Sequence, residues 1–442
     1  MGADLRGESL AERLCPSGIG ARLHAFAADI YPICRSITGD GVRRTLDRIE
    51  TLTPLTRSEV PTGAPVLDWT IPKEWNIRDA YIMNAAGERV VDFNRHNLHV
   101  LNYSTPVRAR MPLAELKAHI HTLPDQPDLI PYRTSYYQER WGFCMSHNGL
   151  DALPDGEYEV CVDSTLAPGA LTYAEYVHPG ASEEEVLLQA HICHPSLAND
   201  NCAGLSLLAH LAAALAPLET RYTYRLLFAP GTIGAITWLA RNDVAARRVR
   251  HGLVLSCVGD SGGPTYKKTR RGDAMIDRVM THVLKNSFPD PKIIDFFPYG
   301  YDERQYNSPG FQMDVGLLQR SQFATFPEYH TSGDNLDFIA PAHLETSMRA
   351  VARAIDVLER DACYVNTAPY GEPQLGRRGL YGALGGDKDA YAKNMAMLWI
   401  LNLSDGDHTL LDIAERAGMP FATIADTAAV LQRSGLLQPA AD

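Results

Sequence analysis

A chain of 442 residues is long enough for two or three domains with a large buried core. Hydrophobic residues make up 45% and charged residues 21%, as in ordinary globular proteins, and a formal charge of −12 argues against general binding to nucleic-acid phosphates. Eight cysteines in a chain of this length do not indicate a disulfide scaffold, and neither a signal-peptide layout nor an apolar run of membrane length is present. We therefore expect a soluble, cytoplasmic protein without a membrane partner.

The N-terminal part of the chain predicts helices followed by short strands. Apolar residues recur at helical spacing over residues 19–55, with an interruption at Gly39-Asp40-Gly41. From about Pro61 the pattern changes to short alternating segments separated by proline and turn residues, which predicts an antiparallel β module. Its candidate strands include residues 66–70, 79–83 and 99–101.

After Gly180 the pattern alternates between strand and helix, as in an α/β domain. Strands are predicted at residues 186–190, 222–228, 252–257 and 316–318. Helices are predicted at residues 205–215, 233–240, 274–284 and 343–360. Residues 366–386, which are rich in glycine, proline and arginine, predict a connector.

The C-terminal segment predicts a winged helix. Apolar helices are expected at residues 395–403, 410–417 and 421–434, and Gly435-Leu436-Leu437 then leads into a strand. The expected recognition helix carries Arg433 as its single arginine, and acidic residues outnumber basic ones beyond Gly386, which is too little positive charge for phosphate contact. We therefore do not expect nucleic-acid binding, and our hypothesis is that the winged helix packs against a second subunit.

A stretch in the middle of the chain has the residue types of a metal site. The apolar run from Val186 ends in His191, Cys193 and His194, and Asn199-Asp200-Asn201 follows. Ligands bind beyond the carboxyl ends of strands in open parallel sheets. Imidazole and carboxylate suit zinc, which in catalytic sites has three protein ligands and a water molecule. A His-x-x-His pair alone is more often a hydrogen-bonded loop element, so the interpretation requires a third ligand from elsewhere.

A polar loop at residues 327–335 contains such a residue, His330, and with it a set of motifs is complete. The motifs are His191-Ile192-Cys193-His194-Pro195-Ser196 with Asn199-Asp200-Asn201, Tyr301-Asp302-Glu303-Arg304-Gln305-Tyr306, Pro327-Glu328-Tyr329-His330-Thr331, and Gly371-Glu372-Pro373-Gln374-Leu375-Gly376 with Arg378-Gly379-Leu380-Tyr381. Through them the chain resembles, over nearly its whole length, the bacterial zinc-aminopeptidase-like proteins with an inserted β domain and a C-terminal winged helix. These proteins are encoded with polysaccharide or natural-product pathways.

The resemblance implies an α/β fold with three parts. Residues 1–60 and 166–380 would form an α/β/α core similar to the zinc exopeptidase fold. Residues 61–165 would form the inserted antiparallel β domain, and residues 386–442 the winged-helix domain.

The resemblance also implies a set of zinc ligands: His191, Asp200 and His330. His194 is the alternative for the first imidazole, and we favour His191 because it ends the strand directly. One zinc ion is expected rather than two, because the position near Cys257 lacks a carboxylate, although Asp260 is close, and because the general-base position is changed.

That changed position is Gly231, where proteins of this kind usually have glutamate. The glutamate would take a proton from the attacking water and pass it to the leaving amine, which glycine cannot do. Three explanations are open: an introduced inactivating substitution, a protein that binds without cleaving, or a replacement base. The replacement candidates are Asp302, Glu303 and Glu328, each of which could instead pair with Arg304 or orient His330.

The function implied is that of a zinc-dependent aminopeptidase or amidohydrolase. It would remove an N-terminal aminoacyl group from a small peptide or a biosynthetic intermediate, with activity lowered or abolished at Gly231. Glu303 or Asp302 would bind the substrate α-amino group, and Tyr329 would stabilise the oxyanion. Substrate-binding roles are thus expected for Asp302, Glu303, Arg304 and Glu328. The alternative is a non-catalytic zinc-binding adaptor or regulator, which Gly231 favours.

Overall fold

The computed structural model describes residues 9–380 and 388–440, except the side chains of residues 388–390. Tyr381, the end of the predicted connector and both ends of the predicted range 386–442 lie outside the described residues. The chain divides into a larger compact unit, residues 13–276 and 292–348, and a smaller one to which residues 277–291 and 349–440 belong.

The secondary structure alternates much as the sequence predicts. The α-helices are α1 (Leu10–Leu14), α2 (Ile19–Ile30), α3 (Asp40–Glu50), α4 (Leu113–Leu116), α5 (His147–Asp151), α6 (Gly204–Leu215), α7 (Ile233–Arg241), α8 (Asp243–Arg248), α9 (Met275–Ser287), α10 (Glu303–Tyr306), α11 (Pro341–Arg360), α12 (Lys388–Leu403), α13 (Leu410–Ala417) and α14 (Phe421–Arg433). The strands are β1 (Thr56–Pro61), β2 (Pro65–Val66), β3 (Trp69–Thr70), β4 (Glu74–Met83), β5 (Arg89–Asp92), β6 (Val107–Pro112), β7 (Ile120–His121), β8 (Phe143–Cys144), β9 (Glu157–Ala167), β10 (Ala170–His178), β11 (Glu185–His191), β12 (Thr223–Ala229), β13 (Val249–Leu255), β14 (Thr265–Lys267), β15 (Lys292–Ile294), β16 (Val315–Gln319), β17 (Cys363–Asn366), β18 (Asp405–Thr409) and β19 (Leu437–Pro439). None of the helices in the described part of the chain is both long and apolar enough to cross a bilayer.

An eight-stranded sheet forms the centre of the larger unit, in the order β1-β10-β12-β11-β13-β16-β14-β15. The middle strands β12, β11, β13 and β16 run parallel, and antiparallel pairs flank them on both sides. Every residue of β11 is buried, as expected for a parallel strand covered on both faces. The prediction of an α/β fold is confirmed by this sheet and the helices between its strands.

A second, four-stranded antiparallel sheet in the larger unit has the order β5-β4-β9-β6. Alternate residues of β9, including Tyr158, Val160 and Val162, are buried, so one face of this sheet packs on the core.

Two short strands of the sequence prediction are wrong in detail. Residues 66–70 are not one strand, because the chain reverses between β2 and β3, with Leu67 at a φ of 55°. Residues 99–101 are not a strand either: Asn97–His99 form a 3₁₀ turn, whose start is fixed by the backbone N–H of Leu98 donating to His96 Nδ1. Alternation over so few residues does not distinguish a strand from a turn.

The smaller unit contains α12, α13, α14 and a three-stranded sheet in the order β18-β17-β19. Thr409 begins α13 with a capping box to Asp412, and Gly418 ends it in the left-handed conformation, at a φ of 63°. The predicted helices at 410–417 and 421–434 thus have the observed positions to within one residue.

The sheet of the larger unit offers a matched test of its buried charges. Arg225 lies between Glu175 and Glu185, at 2.7 and 2.6 Å, and all three side chains are nearly buried. We expect Arg225→Ala to lower the free energy of unfolding by about 3–5 kcal/mol, because two buried carboxylates lose their partner. Urea unfolding followed by circular dichroism measures this.

The control is Arg250→Ala. Arg250 pairs with Glu184 at 3.0 Å in solvent, and exposed pairs contribute about 0–1 kcal/mol. Equal losses in the two variants would contradict the role given to the buried pair.

Candidate metal centre

The carboxyl ends of the four parallel strands lie at the same end of the sheet and carry the candidate site. His191 ends β11, Gly231 follows β12, Cys257 follows β13, and the loop after β16 carries His330. The pairing of His191 with Ala229 at the ends of β11 and β12 brings the first two of these loops together. This is the edge of a parallel sheet at which ligands bind.

Three imidazoles converge on Asp200, which is fully buried. Asp200 Oδ1 lies 3.0 Å from Nε2 of His191, and Asp200 Oδ2 lies 3.0 Å from Nε2 of His330 and 3.3 Å from Nδ1 of His194. The ligand atoms of His191, His194 and Asp200 all lie within 4.8 Å of one another. The structure therefore brings together the three predicted ligands and the alternative His194, with Asp200 between the imidazoles.

These residues fit a zinc ion. Imidazole nitrogen and carboxylate oxygen are ordinary zinc ligands, and a catalytic site needs three of them and one open position. The His191 side chain is 2% exposed, whereas those of His194 and His330 are 14% and 30% exposed. The cluster is thus closed on the side of the sheet and open on the side of the loops.

The charges of the cluster support an ionised carboxylate. Burial raises the pKa of Asp200, but the combined effect of His194 and His191 outweighs burial, and the result is a pKa well below the usual range. Burial lowers the pKa of His191 despite the nearby carboxylate.

Asp334 holds the turn that presents Asp200. Its carboxylate accepts the backbone N–H groups of Asn199 and Asp200, at 2.6 and 3.0 Å. Burial raises the pKa of Asp334 to about 8, although the two hydrogen bonds act in the opposite direction. Asp334 lies at the end of the predicted polar loop, and no local pattern in the sequence points to it.

Asn201 orients His191 from the other side. Its side-chain amide donates to Nδ1 of His191 at 3.3 Å and to the carbonyl of Leu255 at 2.9 Å. The outer nitrogen of the ring is thereby held, and Nε2 faces Asp200. Because this contact makes Nδ1 an acceptor, it fixes the orientation of the ring but not the tautomer that a metal ligand at Nε2 requires.

Asp260 does not join the cluster. Its carboxylate accepts hydrogen bonds from the Asn199 side chain at 2.8 Å and from the Ser321 hydroxyl at 2.6 Å. The position after β13 is held by Cys257, whose thiol lies 3.3 Å from the hydroxyl of Tyr301.

Comparison with known proteins places the chain in a family. A model described as a domain of unknown function, DUF4910, matches residues 24–361. The chain belongs to the DUF4910 family. A second model, described as a winged helix-turn-helix, matches residues 362–439 and confirms the predicted winged-helix domain.

Relatives of this DUF4910 protein extend over nearly the whole chain. A Clostridium acetobutylicum protein, provisionally named a polysaccharide biosynthesis protein with an aminopeptidase-like domain, is 48% identical over 422 residues, covering 96% of this chain and 97% of its own. A crystal structure from the same species, described as that of a candidate peptidase, has a TM-score of 0.92 and 46% identity, covering 97% and 98% of the two chains.

The fold is also that of zinc aminopeptidases. The structure of BSAP, a zinc aminopeptidase from Bacillus subtilis, has a TM-score of 0.55 and 13% identity, and the match covers 79% of this chain and 95% of that one. The predicted resemblance to aminopeptidase-like proteins with a C-terminal winged helix is confirmed. The aminopeptidase-like domain in the name of the Clostridium relative agrees with this fold.

Gly231 faces the imidazole cluster of the DUF4910 domain. Its backbone N–H donates to Sγ of Cys193 at 3.2 Å. A Cβ added here would lie 3.4 Å from that sulfur and 3.7 Å from Cβ of His191, which are ordinary contacts, and the backbone is not left-handed. A Cβ at position 231 can therefore be accommodated beside His191.

Asp302 is buried and holds the turn after β12. Its carboxylate accepts the backbone N–H of Thr232 at 2.6 Å and the Gln189 side chain at 2.5 Å. Thr232 has a φ of 61°, which is unfavourable for a β-branched residue, so the hydrogen bond helps to fix this turn. Burial raises the pKa of Asp302 to about 7.

Glu303 pairs with Lys267, not with Arg304. The carboxylate and the ammonium lie 2.7 Å apart, and both side chains are fully buried. Arg304 instead lies against the ring of Tyr299, with Cζ 5.8 Å from its centroid. The lysine is distant in sequence, so the motif alone could not identify it.

Glu328 and Tyr329 lie on the loop of His330. The Tyr329 ring stacks on His330, with 3.9 Å between the centroids and 12° between the planes. Glu328 is half-buried, and no hydrogen bond or ion pair within the described residues holds its carboxylate.

Two further tyrosines contact the cluster. The ring of Tyr301 stacks on His191 at 5.0 Å, and that of Tyr132 meets His194 and His330 edge-on, each at 5.1 Å. Tyr132 is placed by its backbone N–H, which donates to the His330 carbonyl at 2.8 Å. Tyr301 belongs to a motif of the sequence analysis, but no local pattern points to Tyr132.

Proposed function

We propose that this protein is a zinc-dependent aminopeptidase or amidohydrolase that removes an N-terminal aminoacyl group from a small peptide or biosynthetic intermediate. One zinc ion is held by His191, Asp200 and His330, with His194 as the alternative imidazole. The observation that carries the proposal is the convergence of three imidazole nitrogens on the buried Asp200 carboxylate at the open edge of an aminopeptidase-like sheet.

A bound zinc ion would supply a Lewis acid for the scissile carbonyl and would lower the pKa of water. Two tyrosines lie against the imidazoles of the site. Tyr329 lies against His330, and Tyr301 lies against His191. We assign Tyr329 the donation of an O–H hydrogen bond to the carbonyl oxygen as negative charge develops on it.

The substrate α-amino group needs an accessible carboxylate. Asp302 and Glu303 are buried and already bonded, to the Thr232 turn and to Lys267. Glu328 is partly exposed and next to the His330 loop. Of the predicted substrate-binding carboxylates, we therefore assign the amino group to Glu328.

We propose that Gly231 makes hydrolysis of the substrate slow. General acid–base catalysis contributes about 10²–10⁴-fold, and glycine transfers no proton. The zinc site would then support binding and slow hydrolysis only. The name of the Clostridium acetobutylicum relative, a polysaccharide biosynthesis protein, is consistent with a substrate from a biosynthetic pathway.

We also propose that the protein is cytoplasmic and that it associates with a second subunit. All eight cysteines, each in the described part of the chain, are free thiols, which suits the reducing cytoplasm. The winged helix packs against a second subunit and does not bind nucleic acid. A monomeric mass in solution at micromolar concentration would contradict the dimer.

The test is hydrolysis of aminoacyl-amides and dipeptides by the zinc-loaded full chain, beside the N-acetylated form of each substrate. We expect slow release of product from free amino termini, none from acetylated ones, and none after removal of zinc. Equal cleavage of acetylated substrates would overturn the aminopeptidase assignment and leave an amidohydrolase without amine recognition.

A second candidate, a non-catalytic zinc-binding adaptor or regulator, is favoured by Gly231 itself. Among the replacement bases, Asp302 and Glu303 are both engaged elsewhere. Stoichiometric zinc without hydrolysis in either the chain or its Gly231→Glu variant would favour this function.

A further inference from the structure

An exposed aromatic pair lies apart from the residues assigned so far. The rings of Trp69 and Tyr137 are 5.4 Å apart and tilted by 58°. Trp69 is 40% exposed, Tyr137 49% and the neighbouring Leu67 58%. We call these three residues the aromatic rim. Exposed apolar side chains that cluster in this way often mark a binding site.

An exposed ion pair joins the two segments of the rim. Lys73, which follows β3, forms an ion pair of 2.5 Å with Glu139, two residues after Tyr137. Leu67 and Tyr137 both have left-handed backbones, with φ of 55° and 64°. Such conformations are uncommon in residues with side chains and occur preferentially at functional sites.

The rim is connected to the metal centre through a short run of tyrosines. Tyr132 contacts His194 and His330 edge-on, and its hydroxyl lies 2.9 Å from that of Tyr136. Tyr137 follows directly, and five residues span at most about 18 Å.

A further observation places the rim near Gly231. The β2 strand of the hairpin packs on α7, the helix that begins two residues after Gly231.

We propose that the aromatic rim is a subsite that binds a flat, weakly hydrated face of the substrate next to the zinc-ligand cluster. Tryptophan and tyrosine rings stack on such faces and present a large apolar area with little side-chain entropy to lose. The face is either an aromatic amino-acid side chain or the C–H face of a pyranose. The inference rests on the proposed function and names the substrate class.

The test measures binding and not turnover. Calorimetry gives the Kd of amino-acid hydroxamates, which chelate zinc, for the zinc-loaded full chain. One arm compares L-phenylalanine with L-alanine hydroxamate, and the other compares β-glucosyl-L-serine with L-serine hydroxamate. We expect the ligand with the flat face, L-phenylalanine or β-glucosyl-L-serine hydroxamate, to bind about tenfold more tightly than its smaller counterpart in at least one arm.

Trp69→Ala and Tyr137→Ala should reduce this preference to less than about threefold while the smaller ligand keeps its affinity. Trp69→Phe should retain the preference, which separates stacking from a general disturbance of the hairpin. Tyr370→Ala removes a fully exposed tyrosine of the smaller unit and should change nothing.

If the variants lose the preference for L-phenylalanine hydroxamate, the face that binds is aromatic. If they lose the preference for β-glucosyl-L-serine hydroxamate, the face is that of the sugar. Unchanged ratios in Trp69→Ala and Tyr137→Ala, with hydroxamates still bound, would overturn the subsite and leave the metal site standing. Failure of every hydroxamate to bind the zinc-loaded wild type would overturn the proposed function and the subsite with it.

Discussion

Replacement of Gly231 by glutamate is expected to raise the rate of aminoacyl-amide hydrolysis by about 10²–10⁴-fold. The position follows β12 and faces His191, where an added Cβ makes only ordinary contacts. The new carboxylate would accept a proton from the attacking water and return it to the leaving amine. The kcat of the zinc-loaded Gly231→Glu variant, set beside that of the original chain, measures the effect.

Gly231→Gln is the matched control. Glutamine has nearly the same size and shape as glutamate but does not take up a proton at neutral pH, so this variant should remain as slow as the original chain. Equal rates in the Glu and Gln variants would show that space filling, not proton transfer, is responsible. High activity in the original chain would point to another base, and a lower kcat in Glu328→Gln, as opposed to a higher KM from lost amine binding, would identify Glu328 as that base.

The placement of His191, the first candidate ligand, at the end of a buried strand could be predicted from the sequence because it depends on local pattern. From Val186 onward β11 is apolar apart from Gln189, and it ends abruptly in His191. Such a run predicts a buried parallel strand, and polar residues at its carboxyl end predict a ligand site. Asp200 and His330 came from the resemblance, and the structure brings them within hydrogen-bonding distance of each other.

The partners of the carboxylates could not be predicted, because they come from distant parts of the chain. Lys267 is 36 residues before Glu303 and pairs with it only when β14 joins the sheet. Asp334 reaches the Asp200 turn across 134 residues. Tyr132 enters the site because its segment pairs with the backbone around His330. None of these contacts leaves a periodic signal in the sequence.

The second large effect is expected at Asp200. Asp200→Asn should abolish stoichiometric zinc binding, because the amide is neutral and the three surrounding imidazoles lose the charge on which they converge. Loss of an outer hydrogen-bonding partner alone costs about 10–100-fold in metal affinity, and loss of a ligand should exceed that. Competition with a chromophoric chelator gives the zinc Kd, and the original chain should bind one equivalent.

Two other aspartates of the same region complete a graded series. Asp334→Asn removes an acceptor from the turn of Asp200 without touching an imidazole, so we expect a zinc affinity lower by about 10–100-fold. Asp260→Asn alters a carboxylate that is bonded to Asn199 and Ser321, so zinc affinity should change little while stability falls. The loss of zinc affinity should therefore be largest for Asp200→Asn, smaller for Asp334→Asn and smallest for Asp260→Asn. This order distinguishes a zinc ligand from a residue that positions it and from a residue that only stabilises the fold. A chain that kept its zinc in Asp200→Asn but lost it in Asp260→Asn would place the metal after β13, and the imidazole cluster would then be a hydrogen-bonded element of the fold.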